Sequence, residues 1–299
     1  MIRGRRRGQR SQMTEMNQAA RPYAVIGATG QQGSAVVDAL LANDAPVRAV
    51  VRDPDAESAQ QLARRGVQIA VGDQDDPGKM AGALADIEAL FMMMTFTGPA
   101  GTKGEVTRGR NVAEAAARVG VPRVVYSSVG GAERNSRVPH FESKRRVEER
   151  LAQLLPASFV RPTFFMENLD GTIAGAHDDG EFVLRLPLPA DVSLQMISVR
   201  DVGVVAAAAL REPGVLGEDA LEIAGDVLTG PEMAQRIGAH LGREARFEAL
   251  PLDVLGDDDD TKTMFRWFAE TPAYDADLGR TRQVDPDVWD LAGWLQHRS

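Results

Sequence analysis

From Tyr23 onward, short runs of apolar residues alternate with longer amphipathic stretches. YAVIG leads into a helical pattern ending at Leu41, VRAVV into one through Leu62, and VQIAVGD into one through Leu84. ALFMMM, a helix from about Glu105 to Val119, RVVYSS, a helix from about Phe141 to Leu155, and SFVRP continue the rhythm. Strands that are apolar at nearly every position must be covered on both faces. Single helices between them leave room only for crossovers, so the pattern predicts an α/β fold with a doubly wound parallel sheet.

After Pro162 the rhythm changes. Residues 171–198 are punctuated by Gly and Pro and read as short strands. RDVGVVAAAAL from Arg200 reads as a helix behind a strand ending near Val199. LEIAG, a helix opened by Thr229 with Pro231, and MFRWFAE complete a smaller C-terminal α/β lobe. The expected organisation is a basic, disordered tail over 1–20, a nucleotide-binding domain over 21–165, and a capping lobe over 166–299 whose chain is free to cross back to the sheet. The GDDDD run, Gly256 to Asp260, reads as a solvated loop, since consecutive carboxylates do not converge on one ion. No metal site is expected.

Composition narrows the chemistry. The chain has 299 residues and no cysteine, which excludes thiolate nucleophiles, disulfides and thiolate metal sites, so any redox step needs a cofactor. A formal net charge of −9 argues against nucleic acid as a partner. MIRGRRRGQR is the one basic patch, and no aromatic residue interleaves its arginines. It reads as a tail, or as an extension preceding a start at Met13 or Met16. No window approaches the ~18 to 20 apolar residues that cross a bilayer, so no membrane partner is expected and the location reads as cytoplasmic.

GATGQQG lies between the first strand and the first helix and sets Gly27, Gly30 and Gly33 at three-residue intervals. Such glycines let backbone N–H groups at a helix start approach a pyrophosphate. The second strand ends in Arg52. A carboxylate there would accept from a ribose 2′-hydroxyl, whereas an arginine pairs with a 2′-phosphate, so Arg52 points to NADP(H) over NAD. Asp53 beside it could neutralise the arginine or supply the carboxylate itself. Asp73, ending the third strand, is placed either to border an adenine or to cap the following helix.

Several segments together resemble the NmrA-like family of atypical short-chain dehydrogenase/reductases, including its NADP(H)-binding redox sensors. They are GATGQQG, VRDP at 51–54, GDQDD at 72–76, VVYSS at 124–128, HFESKRRVEE at 140–149 and RPTFFMEN at 161–168. The resemblance implies a Rossmann domain with NADP(H) phosphates along Gly27, Ala28, Thr29, Gly30, Gln31, Gln32 and Gly33. It implies the 2′-phosphate on Arg52, the adenine edged by Asp73 and Gln74, and Met94, Thr95 and Phe96 beneath the ribose. Lys144 would reach the nicotinamide ribose, and Phe165, Met166, Glu167 and Asn168 would close over the nicotinamide. Where relatives carry a further lysine on the fourth helix, this chain has Thr107, with Lys103 a turn away.

Conventional members of the superfamily place a tyrosine four residues before the lysine as proton donor. This chain has His140 there, and none of Tyr23, Tyr126 and Tyr274 stands in that relation to any of its four lysines. His140 is either a replacement donor, since an imidazole titrates near about 6.5, or a polar residue at a helix start. Lys144 is either the retained catalytic lysine or one charge on the solvated face of Glu142, Arg145, Arg146, Glu148 and Glu149. Ser127 and Ser128 either meet a substrate or satisfy a strand end. Phe164, Phe165 and Met166 read as an apolar wall or as core.

Two functions follow. The first is an NADPH-dependent oxidoreductase that reduces a small molecule such as a quinone, whose reduced anion needs only electrostatic support. The second is a non-catalytic NADP(H) sensor acting through a protein partner or homo-oligomer.

Overall fold

The computed structural model describes residues 20–174, 180–270 and 273–298. The tail expected over 1–20 lies, but for Ala20, outside the described residues. The first half is β1 (Tyr23–Ile26), α1 (Gln31–Leu41), β2 (Val47–Val51), α2 (Glu57–Arg64), β3 (Gln68–Val71), α3 (Pro77–Ala83), β4 (Ala89–Met93), α4 (Gly101–Arg118), β5 (Val124–Ser127), α5 (Pro139–Leu154) and β6 (Ala157–Pro162). These strands are parallel, and the sheet order from one edge is β3, β2, β1, β4, β5, β6. The order reverses between β1 and β4, which leaves a crevice at their carboxyl ends.

Burial follows the two-residue period of the strands. Phe91 of β4 and Val125 of β5 pack with Val36, Val37 and Leu40 of α1 on one face. Leu90, Met92, Val124 and Tyr126 face the other way, onto Val112 and Ala116 of α4 and Val147 and Leu151 of α5. Gly109 lets α4 and α5 approach closely, since a Cβ there would lie 2.5 Å from Val147.

β7 (Phe164–Phe165) leaves the sheet, and α6 (Asp170–Ala174), β8 (Phe182–Leu186) and β9 (Ser193–Ile197) follow. The chain then returns. α7 (Val199–Arg211), capped by the Ser198 hydroxyl, packs on α1 with Gly203 against Ala35, and β10 (Ala220–Ile223) extends the main sheet as a seventh, parallel strand beside β6. β11 (Asp226–Thr229), α8 (Gly230–Leu241), β12 (Ala245–Ala249), α9 (Asp259–Glu270), α10 (Leu278–Val284) and α11 (Leu291–His297) complete the lobe. Its small sheets are β11-β9-β7 and β12-β8. Thr229 opens α8 through a reciprocal capping box with Glu232. Among the described residues no helix is long and apolar enough to cross a membrane.

Candidate active site

The glycine loop turns where only glycine fits. Gly27 has φ +80°, and a Cβ on Gly33 would lie 2.0 Å from the Gly27 carbonyl oxygen, so the first turn of α1 sits directly on the strand end. Gly30, the residue before α1, has no side chain to cap the helix, which leaves first-turn N–H groups open to an anion. Ala28 is buried, Gly30 and Gln31 are exposed, and Gln32 accepts a 2.6 Å hydrogen bond from the Ser127 hydroxyl through Oε1.

Below this loop, where the strand order reverses, lies a cavity of about 570 Å³. Gly27, Thr29, Arg52, Asp73, Gln74 and Thr95 line it together. Arg52 is exposed and has no hydrogen bond or ion pair among the described residues. Asp53 does not neutralise it, because its Oδ1 accepts from the Asp55 N–H at 2.9 Å and closes the turn. Nor does Asp73 cap the next helix. Asp76 does so, accepting from the N–H groups of Gly78 and Lys79, while Asp73 accepts from Asp75 N–H at 3.0 Å. Sequence reasoning passed over Arg108, a second guanidinium on the wall, which donates to the Thr95 carbonyl at 2.9 Å. Its neighbours Lys103 and Thr107 are exposed and lie outside this cavity.

Lys144 lies at a second, drier end. Its side chain is 12% exposed, and Nζ donates to Glu105 Oε1 at 2.9 Å and to the Met94 carbonyl at 3.1 Å. The solvated-face account of this lysine fails, since Glu142 and Glu149 pair with Arg145 and Glu148 with Arg161. Glu105 is fully buried and takes the Ser143 hydroxyl on its other oxygen. One signal could have revealed it: Glu105 stands on the apolar stripe of α4 with Gly109 and Val112, where a carboxylate needs a cation. The start of α4 at Gly101, earlier than expected, is what brings Glu105 under the lysine.

His140 lies one turn before Lys144 and is 9% exposed. Its ring stacks on Phe96, with centroids 4.7 Å apart, and its Nδ1 pairs with Asp260. GDDDD is therefore not simply a solvated loop. Asp258 accepts from the Thr261 N–H, Asp259 begins α9, and Asp260 reaches His140. Residues 94–96 join the two ends: the Met94 carbonyl takes Lys144, Thr95 lines the cavity, and Phe96 covers His140.

The 165–168 stretch is not gathered with them. Phe165 is half-buried on the main core, and Met166 is sealed in the lobe core. Glu167 Oε1 accepts from Val199 N–H at 3.0 Å and from Trp294 Nε1 at 3.1 Å, and burial raises this carboxyl above its ordinary range. These contacts bind the lobe to the sheet. Only Asn168 is exposed. The Ser128 hydroxyl is buried without a partner among the described residues. No tyrosine replaces the missing donor: Tyr126 is fully buried with burial pushing its hydroxyl well up, and Tyr274 is raised by burial in the same way.

A profile of the NmrA-like family matches residues 22–290. An NAD(P)H azoreductase of Xenophilus azovorans is 31% identical over 233 residues, 77% of each chain. Quinone oxidoreductase 2 of Escherichia coli (strain K12) is 26% identical over 231 residues, 76% of this chain and 77% of that one. The crystal structure of NmrA, a negative transcriptional regulator, in complex with NADP superposes with a TM-score of 0.78 at 19% identity, covering 94% of this chain and 95% of that one.

Proposed function

We propose, from the premise that the chain belongs to the NmrA-like family, that it is an NADPH-dependent oxidoreductase reducing a small acceptor of the quinone or azo type. The observation that carries the cofactor half is the unpaired Arg52 guanidinium on the wall of the cavity where the strand order reverses. The acceptor half is supported by the azoreductase and quinone oxidoreductase relatives. The uncapped first turn of α1 and the free arginine fit a dinucleotide with a 2′-phosphate.

When bound, the dihydronicotinamide supplies a hydride. The protein's part is binding and electrostatics. First-turn N–H groups of α1 meet the pyrophosphate, Arg52 meets the 2′-phosphate, and Asp73 and Gln74 edge the adenine. Lys144 holds the nicotinamide ribose. Its charge is balanced by Glu105 rather than by solvent, so the ammonium keeps one position as the reaction proceeds. With His140 where the superfamily's tyrosine stands, and Tyr126 sealed in the core, the conventional phenol donor is absent, so the acceptor is one that can be reduced without it.

The test is binding of NADPH and NADH to wild type and Arg52→Ala by titration calorimetry, with NADPH oxidation followed against a quinone and an azo dye. NADPH affinity should fall roughly 10- to 100-fold in the variant, as expected on losing a charge-assisted pair of about 1.5–3 kcal/mol, while NADH affinity holds. Equal losses for both cofactors would remove Arg52 from the 2′-phosphate. No acceptor-dependent oxidation would remove the enzymatic reading and leave the sensor.

A further inference from the structure

We propose that Asp260 and His140 form a carboxylate–imidazole pair that delivers a proton to the reduced acceptor, with His140 as donor and Asp260 as the positioning residue. The proposal rests on the oxidoreductase reading above.

α5 begins with Pro139 and His140 behind Val138, a residue with no side-chain oxygen to cap the helix. The cap comes from 120 residues away: Asp260 Oδ1 accepts from the His140 backbone N–H at 2.9 Å. Its Oδ2 meets Nδ1 of the same histidine. A helix cap needs one oxygen only. Using both oxygens on one residue fixes the ring as well as the helix start. It assigns the Nδ1 proton to the carboxylate and leaves Nε2, which has no partner among the described residues, as the nitrogen that can exchange a proton.

The ring is held on two further sides. Phe96 stacks on one face, and Phe141 meets it edge-on at 4.6 Å. Phe96 also fixes where the ring is held: it is two residues beyond Met94, whose carbonyl takes Lys144. Imidazole and ammonium thus stand one turn apart on α5 against the same strand end. The charged groups around the ring are Asp258 just before α9, Asp260 in its first turn, Lys144 on its own helix, and Glu105 of α4 through Ser143, whose hydroxyl contacts the His140 carbonyl.

In an azo acceptor the hydride adds to one nitrogen and the π pair moves to the other; in a quinone it adds to one carbonyl oxygen and the electrons shift through the ring to the second oxygen. The Nε2–H bond of the imidazolium breaks, and its proton joins that second atom. NADP⁺ and a neutral imidazole with Nδ1–H held by Asp260 remain, and water returns the proton. A quinone becomes a hydroquinone and an azo compound a hydrazine. The hydroquinone anion is weakly basic and can be protonated by water, whereas the azo-derived nitrogen anion is strongly basic and needs the donor in the same step.

The experiment measures kcat for the full chain with NADPH against 1,4-benzoquinone and against methyl red. His140→Gln should lower kcat roughly 100-fold for the azo dye and ten times less for the quinone, within the range of general acid catalysis. Imidazole added to His140→Gly should restore azo turnover selectively. Asp260→Asn still accepts from the backbone N–H but presents a donor to Nδ1. It should cost about tenfold on the azo dye with NADPH affinity unchanged, and Asp260→Glu should recover part of it. An unchanged azo-to-quinone ratio in the His140 and Asp260 variants, or losses that simply follow melting temperature without imidazole rescue, overturns the pair alone. Absence of turnover in wild type with either acceptor overturns the functional reading and the pair with it.

Discussion

The Arg52 end of the crevice and its Lys144 end are made of similar residue types arranged in opposite ways. Around Arg52 the charges have no ionic partner among the described residues: Arg52 is exposed and unpaired, Arg108 donates to the Thr95 carbonyl, and Asp53 and Asp73 accept from backbone N–H groups. Around Lys144 each charge already has its counterpart: Glu105 on the ammonium, Asp260 on the imidazole, Glu148 on Arg161. The first end has geometry and waits for a ligand's charge. The second has its charges satisfied and offers a fixed frame. Substitutions should therefore register as affinity at one end and as stability at the other.

The largest effect should come from the dry end. Glu105→Ala leaves the Lys144 ammonium, 12% exposed, without its carboxylate, and unfolding in urea should show a loss of about 3–5 kcal/mol. A loss under about 1 kcal/mol would mean that the two ends do not differ in kind.

Next is a pH effect at another dry place, the seam between α7 and the C-terminal helices. Asp285 is pushed up to about 6, chiefly by burial and then by the fully buried Asp201, with Arg200 opposing at 3.4 Å. A carboxyl raised in the folded state favours folding below its unfolded value near 3.8, and that contribution is lost as pH rises to about 6. Asp285→Asn should remove a pH dependence of roughly 2–3 kcal/mol between pH 4 and 7, read as the difference from wild type. The difference matters because Asp76, Glu232 and Asp258, held low by the N–H groups of Lys79, Thr229 and Thr261, change stability in the opposite sense as pH falls.

The smallest effect belongs to the open end. Arg108→Ala, which removes the second guanidinium of the cavity wall, should leave stability within about 0.5 kcal/mol and weaken NADPH binding about tenfold, with the salt dependence of that binding reduced. A destabilised protein with unchanged affinity would place Arg108 with the structural charges instead.

What could be read from sequence divides along the same line. The open end is local. A glycine loop between a strand and a helix, and an arginine closing the second strand, are each specified within a few residues, and the parallel sheet follows from strands apolar on both faces. The dry end depends on partners far apart in the chain. Glu105 lies 39 residues from Lys144, Asp260 lies 120 from His140, and Glu167 meets Trp294 across 127. No periodicity links such residues. The helix expected from about Glu105 starts a turn earlier, at Gly101, where φ is +52°, a conformation open to glycine. RPTFFMEN shows the same limit, since its motif says nothing of Glu167 facing inward to the N–H groups of Val199 and Trp294.

Residues 94–96 carry a consequence for anyone transplanting this site. Their three successive contacts, to Lys144 through a carbonyl, to the cavity through Thr95 and to His140 through a ring, follow directly on the end of β4. Inserting or deleting a single residue there would shift all three contacts and put both ends out of register together. Any transplant of the site has to carry this tripeptide as one indivisible part.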